Sequence, residues 1–170
     1  SYEGTSPSVS PPDAFLNVSS NRDPKHYHLG GIFKILKDHQ GRIWACTSEP
    51  GLLLYDAHLD AFVSVSHLYG IPGDNVHSME EDSHGCLWLA TNDGIARLRL
   101  SDQTNEASLK MFTIADGLPD NYYGNAVSCS LEDGRICFGN YNSVTIFHPA
   151  DFPERGENKK ALITDIKIFN

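Results

Sequence analysis

The chain has 170 residues, enough for one ordinary domain, and 40% are hydrophobic, which excludes a disordered polymer. Lys and Arg total 13 against 22 Asp and Glu; a surface with net charge −9 repels phosphate backbones, so nucleic acid is not an expected partner. No apolar run approaches the ~20 residues of a membrane helix, so no membrane span is expected in this segment.

Residues 1–30 read as irregular, except that "AFLNV" at 14–18 has the look of an outer strand left over from a preceding unit. A sequon at Asn17-Val18-Ser19 carries little weight, since such triplets arise by chance. His26 and His28 are close in sequence, but no metal site is expected there, nor any cofactor elsewhere. A period-two stretch follows at 32–37, then the turn Asp38-His39-Gln40-Gly41. Asp at the head of such a turn bonds its own backbone, and Gly supplies the conformation that larger residues resist. "RIWACT" reads as a short buried strand, "LLLYD" as the next after a turn at Gly51, and "AFVSV", centred on Phe62, as a fourth.

The same order then returns. "VHSMEE" leads into Asp82-Ser83-His84-Gly85, "CLWLAT", an "NDG" turn, "IARLRL", and "LKMFTI" centred on Phe112. Asp38 matches Asp82, Gly41 matches Gly85, Trp44 matches Trp88 and Thr47 matches Thr91, each pair 44 residues apart. A third, degraded copy, "AVSCSLEDGRICFGN" and "SVTIF", keeps Gly134 and puts Cys137 and Asn140 where the Trp and Thr stood. Its Gly lies 49 residues after Gly85, which fits the longer "SDQTNEASLK" loop. "YGIPGDN" and "DGLPDN" punctuate the passages between copies.

Helical periodicity is absent over any useful length, so each unit reads as a four-stranded antiparallel meander of about 45 residues. Repeats of this size predict an all-β, partial β-propeller. The expected divisions are an irregular segment at 1–30, blades at 31–75, 76–121 and 122–152, a linker at 153–161, and a strand of a following domain at 162–170. A ring needs roughly 4 to 8 blades. Three blades and a stray strand are therefore expected to be a fragment, and one that self-associates through the apolar faces at its ends.

Asp38 and Asp82 are expected to be turn residues rather than a catalytic pair, and Trp44 and Trp88 inter-blade core rather than sugar-stacking platforms. Tyr122, Tyr123 and Tyr141 lie in or beside loops between strands, where propellers put their binding groups, and are the candidate ligand contacts. No catalytic residue is expected. Cys129 and Cys137 flank the turn at 132–134; a three-residue loop would make them face each other and a two-residue loop would point them apart. Buried thiols are the expectation for all four cysteines.

The pattern D-x-x-G-x-[IL]-W-x-x-T, followed by a Gly turn, with "DGLPDN" between units, resembles the two-component-regulator propeller repeat. "DGRICFGNYNSVTIFHPADF", with Phe147-His148-Pro149, resembles the last blade of that family, and "ALITDIKIFN" the opening of the Tyr-Tyr-Tyr immunoglobulin-like domain that follows it. The resemblance covers roughly residues 14 to 170. It departs at Asn142-Ser143, where the family's last blade has a Gly-rich turn, and at Cys137, where it has an aromatic.

The resemblance implies a non-catalytic piece of the periplasmic sensor region of a hybrid two-component histidine kinase and response regulator, one that detects oligosaccharides and controls polysaccharide-utilisation genes. Its implied partners are an oligosaccharide in the full-length protein, and the remaining blades and immunoglobulin-like domain of the same chain. Two other readings stay open. A sialidase-like glycoside hydrolase would also place Asp, Gly and Trp in a turn, but with one residue between Asp and Gly. A scaffold propeller would bind protein.

Overall fold

The computed structural model describes residues 31–73, 75–101, 107–124 and 127–152. The strand expected at 14–18, the linker at 153–161, the strand at 162–170, the sequon and the His26/His28 pair lie outside the described residues.

The architecture is all-β, a partial propeller of three antiparallel sheets. The first holds β1 (Ile32–Lys37), β2 (Ile43–Thr47), β3 (Leu52–Asp56) and β4 (Ala61–Ser64), paired in that order. The second repeats it with β5 (Val76–Glu81), β6 (Leu87–Thr91), β7 (Gly94–Leu100) and β8 (Ala107–Phe112). The third has three strands among the described residues, β9 (Val127–Ser130), β10 (Ile136–Gly139) and β11 (Val144–Phe147). Among the described residues the departures from strand are small: α1 (Ser66–Tyr69) and single 3-10 turns at Ile114–Asp116 and Pro149–Asp151. The linkers "YGIPGDN" and "DGLPDN" each follow one of these helical turns, which ends on a left-handed glycine, Gly70 (φ 69°) or Gly117 (φ 101°).

Hydrogen bonding explains the repeated letters. Asp38 Oδ1 accepts from the amides of Gln40 and Arg42 at 3.0 and 2.8 Å, closing the turn, while Oδ2 accepts from the indole Nε1 of Trp44 at 2.8 Å. Asp82 repeats this with the amides of His84 and Cys86 and the indole of Trp88, also at 2.8 Å. The expected turn role of both aspartates is therefore met, and each also anchors a buried indole. Six residues separate acid and indole, and in the third copy that spacing joins Leu131 to Cys137. Donor and acceptor have been replaced together, so neither is orphaned. Thr47 and Thr91 each hold the next turn through Oγ1, bonded to the carbonyl of Gly51 (2.9 Å) or Gly94 (3.0 Å). Asn140 does the same work through Oδ1, accepting from the amides of Asn142 and Ser143.

Successive residues of a strand point to opposite faces. In β6, Leu87 and Leu89 pack toward the first sheet, with Trp44, Leu52, Val76 and Met79. Trp88 and Ala90 pack toward the third, with Phe112, Tyr123, Ile136 and Phe138. Both faces of the middle sheet are thus buried, which is why "LWLAT" is uniformly apolar apart from its last residue. The expectation that Trp44 and Trp88 are core is borne out: they are 0% and 1% exposed. The far face of the third sheet is open, with Val127, Val144 and Ile146 all more than half exposed. On the far face of the first sheet Ile35 is exposed, but Ala45 and Leu53 are buried.

The acid that anchors Trp44 also makes stability depend on pH. Burial alone would raise the Asp38 carboxyl, but the Trp44 indole and the Arg42 guanidinium and amide outweigh it and hold the group below the ordinary carboxylate value. A carboxyl depressed on folding contributes stability above the unfolded value, about 3.9, and loses it as pH falls through the folded value. Asp38→Asn should cost about 1–3 kcal/mol at neutral pH. The gap from wild type should close as urea midpoints are measured below about pH 4; a gap independent of pH would mean that the charge is not what matters.

Candidate functional site

Two polar or partly open regions lie where the sheets meet. The first is along the innermost strands β1, β5 and β9, the strands that approach one another from sheet to sheet. Lys34 of β1 is ion-paired with Glu80 of β5 and donates to Ser128 Oγ of β9 at 2.8 Å. Glu80 accepts from Ser128 at 2.7 Å and from Ser130 at 2.9 Å, so both its oxygens are engaged. Ser78 and Ser128 share a hydroxyl contact of 2.5 Å. A buried carboxylate is tolerated when it is paired and bonded in this way. The constellation ties three sheets together, with both Glu80 oxygens engaged inside it.

The second region is a cleft of about 210 Å³ between the second and third sheets. Its walls are Trp88 and Phe112 on one side and Phe147 and Phe152 on the other, with Leu118 and Asp116 contributed by the β8–β9 connection. The rings meet edge-on or tilted, with Trp88–Phe147 centroids 4.7 Å apart and Phe112–Phe152 4.9 Å. Arg97 covers Trp88 at 5.7 Å and donates to the carbonyl of Phe152, holding that residue in the wall. Ligand pockets run from about 300 to 1,000 Å³, so this cleft falls below the ordinary range. Asp116 is the carboxylate in its lining, and Oδ2 already accepts from the Thr113 amide at 2.9 Å. Among the described residues no three His, Cys, Asp or Glu side chains converge as metal ligands would.

The three candidate tyrosines separate. Tyr122 and Tyr141 are 49% and 74% exposed. Tyr123 is fully buried; its hydroxyl meets Thr145 Oγ1 at 2.6 Å, and burial pushes that hydroxyl up while the Thr145 bond opposes it. Tyr123 thus braces the cleft wall from behind, and the other two present rings to solvent.

Three successive meanders, packed sheet against sheet with their first strands innermost, define a run of propeller blades. A family model for the two-component regulator propeller matches residues 70–93, which run from the Gly70 linker through the Asp82 turn and β6. That stretch of the second blade is similar to the two-component regulator propeller repeat. A protein named histidine kinase P4 from Formosa agariphila is 27% identical over 124 residues, 73% of this chain and 9% of that one. Two solved extracellular domains of hybrid two-component systems from B. thetaiotaomicron are also similar. One matches at a TM-score of 0.58 and 20% identity, over 81% of this chain and 20% of its own, and this likeness is one of fold. The other matches at 0.51 and 25% identity, over 71% of this chain and 17% of its own. The chain therefore spans a fifth or less of the length of each of these relatives.

Proposed function

We propose that this chain is part of the extracytoplasmic, periplasmic sensor region of a hybrid two-component system, and that the complete protein detects oligosaccharides and controls polysaccharide-utilisation genes. The observation that carries this reading is the two-component regulator propeller repeat at residues 70–93, set inside a blade whose neighbours repeat its design. Similarity to extracellular domains of hybrid systems and to a protein named a histidine kinase supports it. Among the described residues no helix is long and apolar enough to cross a membrane. The segment itself is non-catalytic in this reading. A glycosidase needs an acid and a nucleophile, a second carboxylate or in sialidases a tyrosine, converging on one bond, and the cleft lining offers Asp116 with neither beside it.

A sugar site built from the loops of many blades is incomplete in three. The full sensor region should bind a glycan fragment in calorimetry, and this 170-residue chain should not. Tyr122→Ala and Tyr141→Ala in the full region should weaken binding if those exposed rings stack on sugar. Absence of binding to any glycan fragment, together with unchanged transcription of polysaccharide-utilisation genes, would overturn the reading. A tight protein partner in its place would favour the scaffold alternative. The open far face of the third sheet is the surface through which the isolated chain would self-associate, a proposal checked by sedimentation.

A further inference from the structure

In the third blade the residue that replaces the repeated Trp, Cys137, stands opposite a second cysteine. In the first two sheets the cross-strand pairs are Leu36 opposite Trp44 and Glu80 opposite Trp88. In the third sheet the corresponding pair is Cys129 opposite Cys137. The turn between them settles the loop length: the Leu131 amide donates to the Arg135 carbonyl at 2.8 Å and the Gly134 amide to the Leu131 carbonyl at 3.0 Å. Gly134 is left-handed, at φ 85°. This is a three-residue loop with a glycine bulge, the form that makes the two cysteines face each other. Both thiols are free in this structure and lie on the far face, Cys129 exposed and Cys137 half-buried, which corrects the expectation of buried thiols there; Cys46 and Cys86 meet it.

We infer that Cys129 and Cys137 form a disulfide across the third blade. Leu131 and Arg135 are a hydrogen-bonded pair, so Cys129 and Cys137, one full repeat of the ladder away, are another. Such pairs hold their Cα atoms about 5.5 Å apart, in the middle of the ~4.4–6.8 Å range of disulfides. Their Cβ atoms stand about 4.5–5.5 Å apart and must close by roughly 1 Å. Among the described residues β10 is the strand paired with β9 within its sheet, and Ser128 and Ser130 of β9 point to the opposite face from Cys129, so the closure falls on the β9–β10 pairing. The two thiols already interact: after burial, the neighbouring Cys129 is what pushes the Cys137 thiol up.

The oxidant is a protein disulfide of a thiol oxidase, of the kind found outside the cytoplasm. The thiolate of exposed Cys129 attacks one sulfur of that disulfide, giving a mixed disulfide and releasing one oxidase thiolate. The Cys137 thiolate then attacks Cys129 Sγ, forming the Cys129–Cys137 bond and releasing the second oxidase thiolate. Two protons and two electrons leave this chain and reduce the oxidase.

The supply of oxidant rests on the extracytoplasmic placement proposed above, so the test has two arms. Purified full sensor region is equilibrated in excess oxidised glutathione, quenched in acid, alkylated and mapped by mass spectrometry. One linked peptide containing Cys129 and Cys137 is expected, at least about tenfold more abundant than any link to Cys46 or Cys86. Cys129→Ser should abolish it and leave Cys137 open to alkylation. Two free thiols at these positions in that buffer overturn the inference. The full-length protein is then mapped directly from cells. Closure in buffer with free thiols in cells upholds the pair and counts against the extracytoplasmic placement instead.

Discussion

Trp88→Ala should lower the stability of the chain by about 3–5 kcal/mol, the range for deleting a large buried aromatic, while Tyr122→Ala should cost under ~0.5. Trp88 is 1% exposed and lies against Phe112 at 5.4 Å, Phe147 at 4.7 Å and Phe152 at 5.8 Å, rings drawn from two sheets and the segment beyond them. Its removal opens a cavity beside a cleft that already exists, so the surroundings have little to close upon. It also strips Asp82 Oδ2 of its indole donor, leaving an acceptor to be rehydrated. Tyr122 is half exposed, and the hydrogen bond found for it, to Asp120 Oδ1, runs from its backbone amide and survives the substitution. Urea midpoints of the two variants decide the matter. Equal losses would mean that the core between the second and third sheets is not where the packing puts it.

What could be read from the sequence follows from how local the cause is. The Asp–Gly turn, the indole and the Thr are all fixed within ten residues of one another, so their recurrence spelled out the blades directly. The third blade was readable for the same reason, even in degraded form, because Asn140 performs the task of Thr47 and Thr91 with a different oxygen. The one-turn helix α1 was not anticipated: four residues carry no periodicity. Tyr123 was read as a loop residue available to a ligand. Its burial depends on Thr145, 22 residues away, and on the third sheet closing over it. Glu80 was hidden in the same way. It stands at the polar end of β5, beside Glu81, like any solvent-facing residue, and its partners Lys34, Ser128 and Ser130 are 46, 48 and 50 residues distant. Polar residues that recur on the first strand of successive repeats, as Lys34, Ser78, Glu80 and Ser128 do, are the signal that could have exposed it, since those strands line the axis.

That same cluster sets the second large effect. Glu80→Leu should cost about 3 kcal/mol, at the lower end of the range for breaking a buried ion pair by removing one partner. Side-chain exposure is 10% for Glu80 and 25% for Lys34, so the stranded ammonium reaches water only in part. Ser128 and Ser130 lose a charged acceptor as well. Removing both charges is a different perturbation. Lys34→Met with Glu80→Leu leaves two apolar chains of similar volume between the same strands, and replacements of that kind are often neutral or stabilising. The double variant should therefore be more stable than either single one. Its loss should fall short of the sum of the single losses by an amount a double-mutant cycle can resolve. Each variant would be unfolded in urea and compared at constant slope. Additive losses would show that Lys34 and Glu80 act independently, and that the innermost strands are held by backbone and apolar packing alone. A recovery in the double variant would establish the ion pair as the element that fixes the first sheet against the second, with Ser128 carrying the tie to the third.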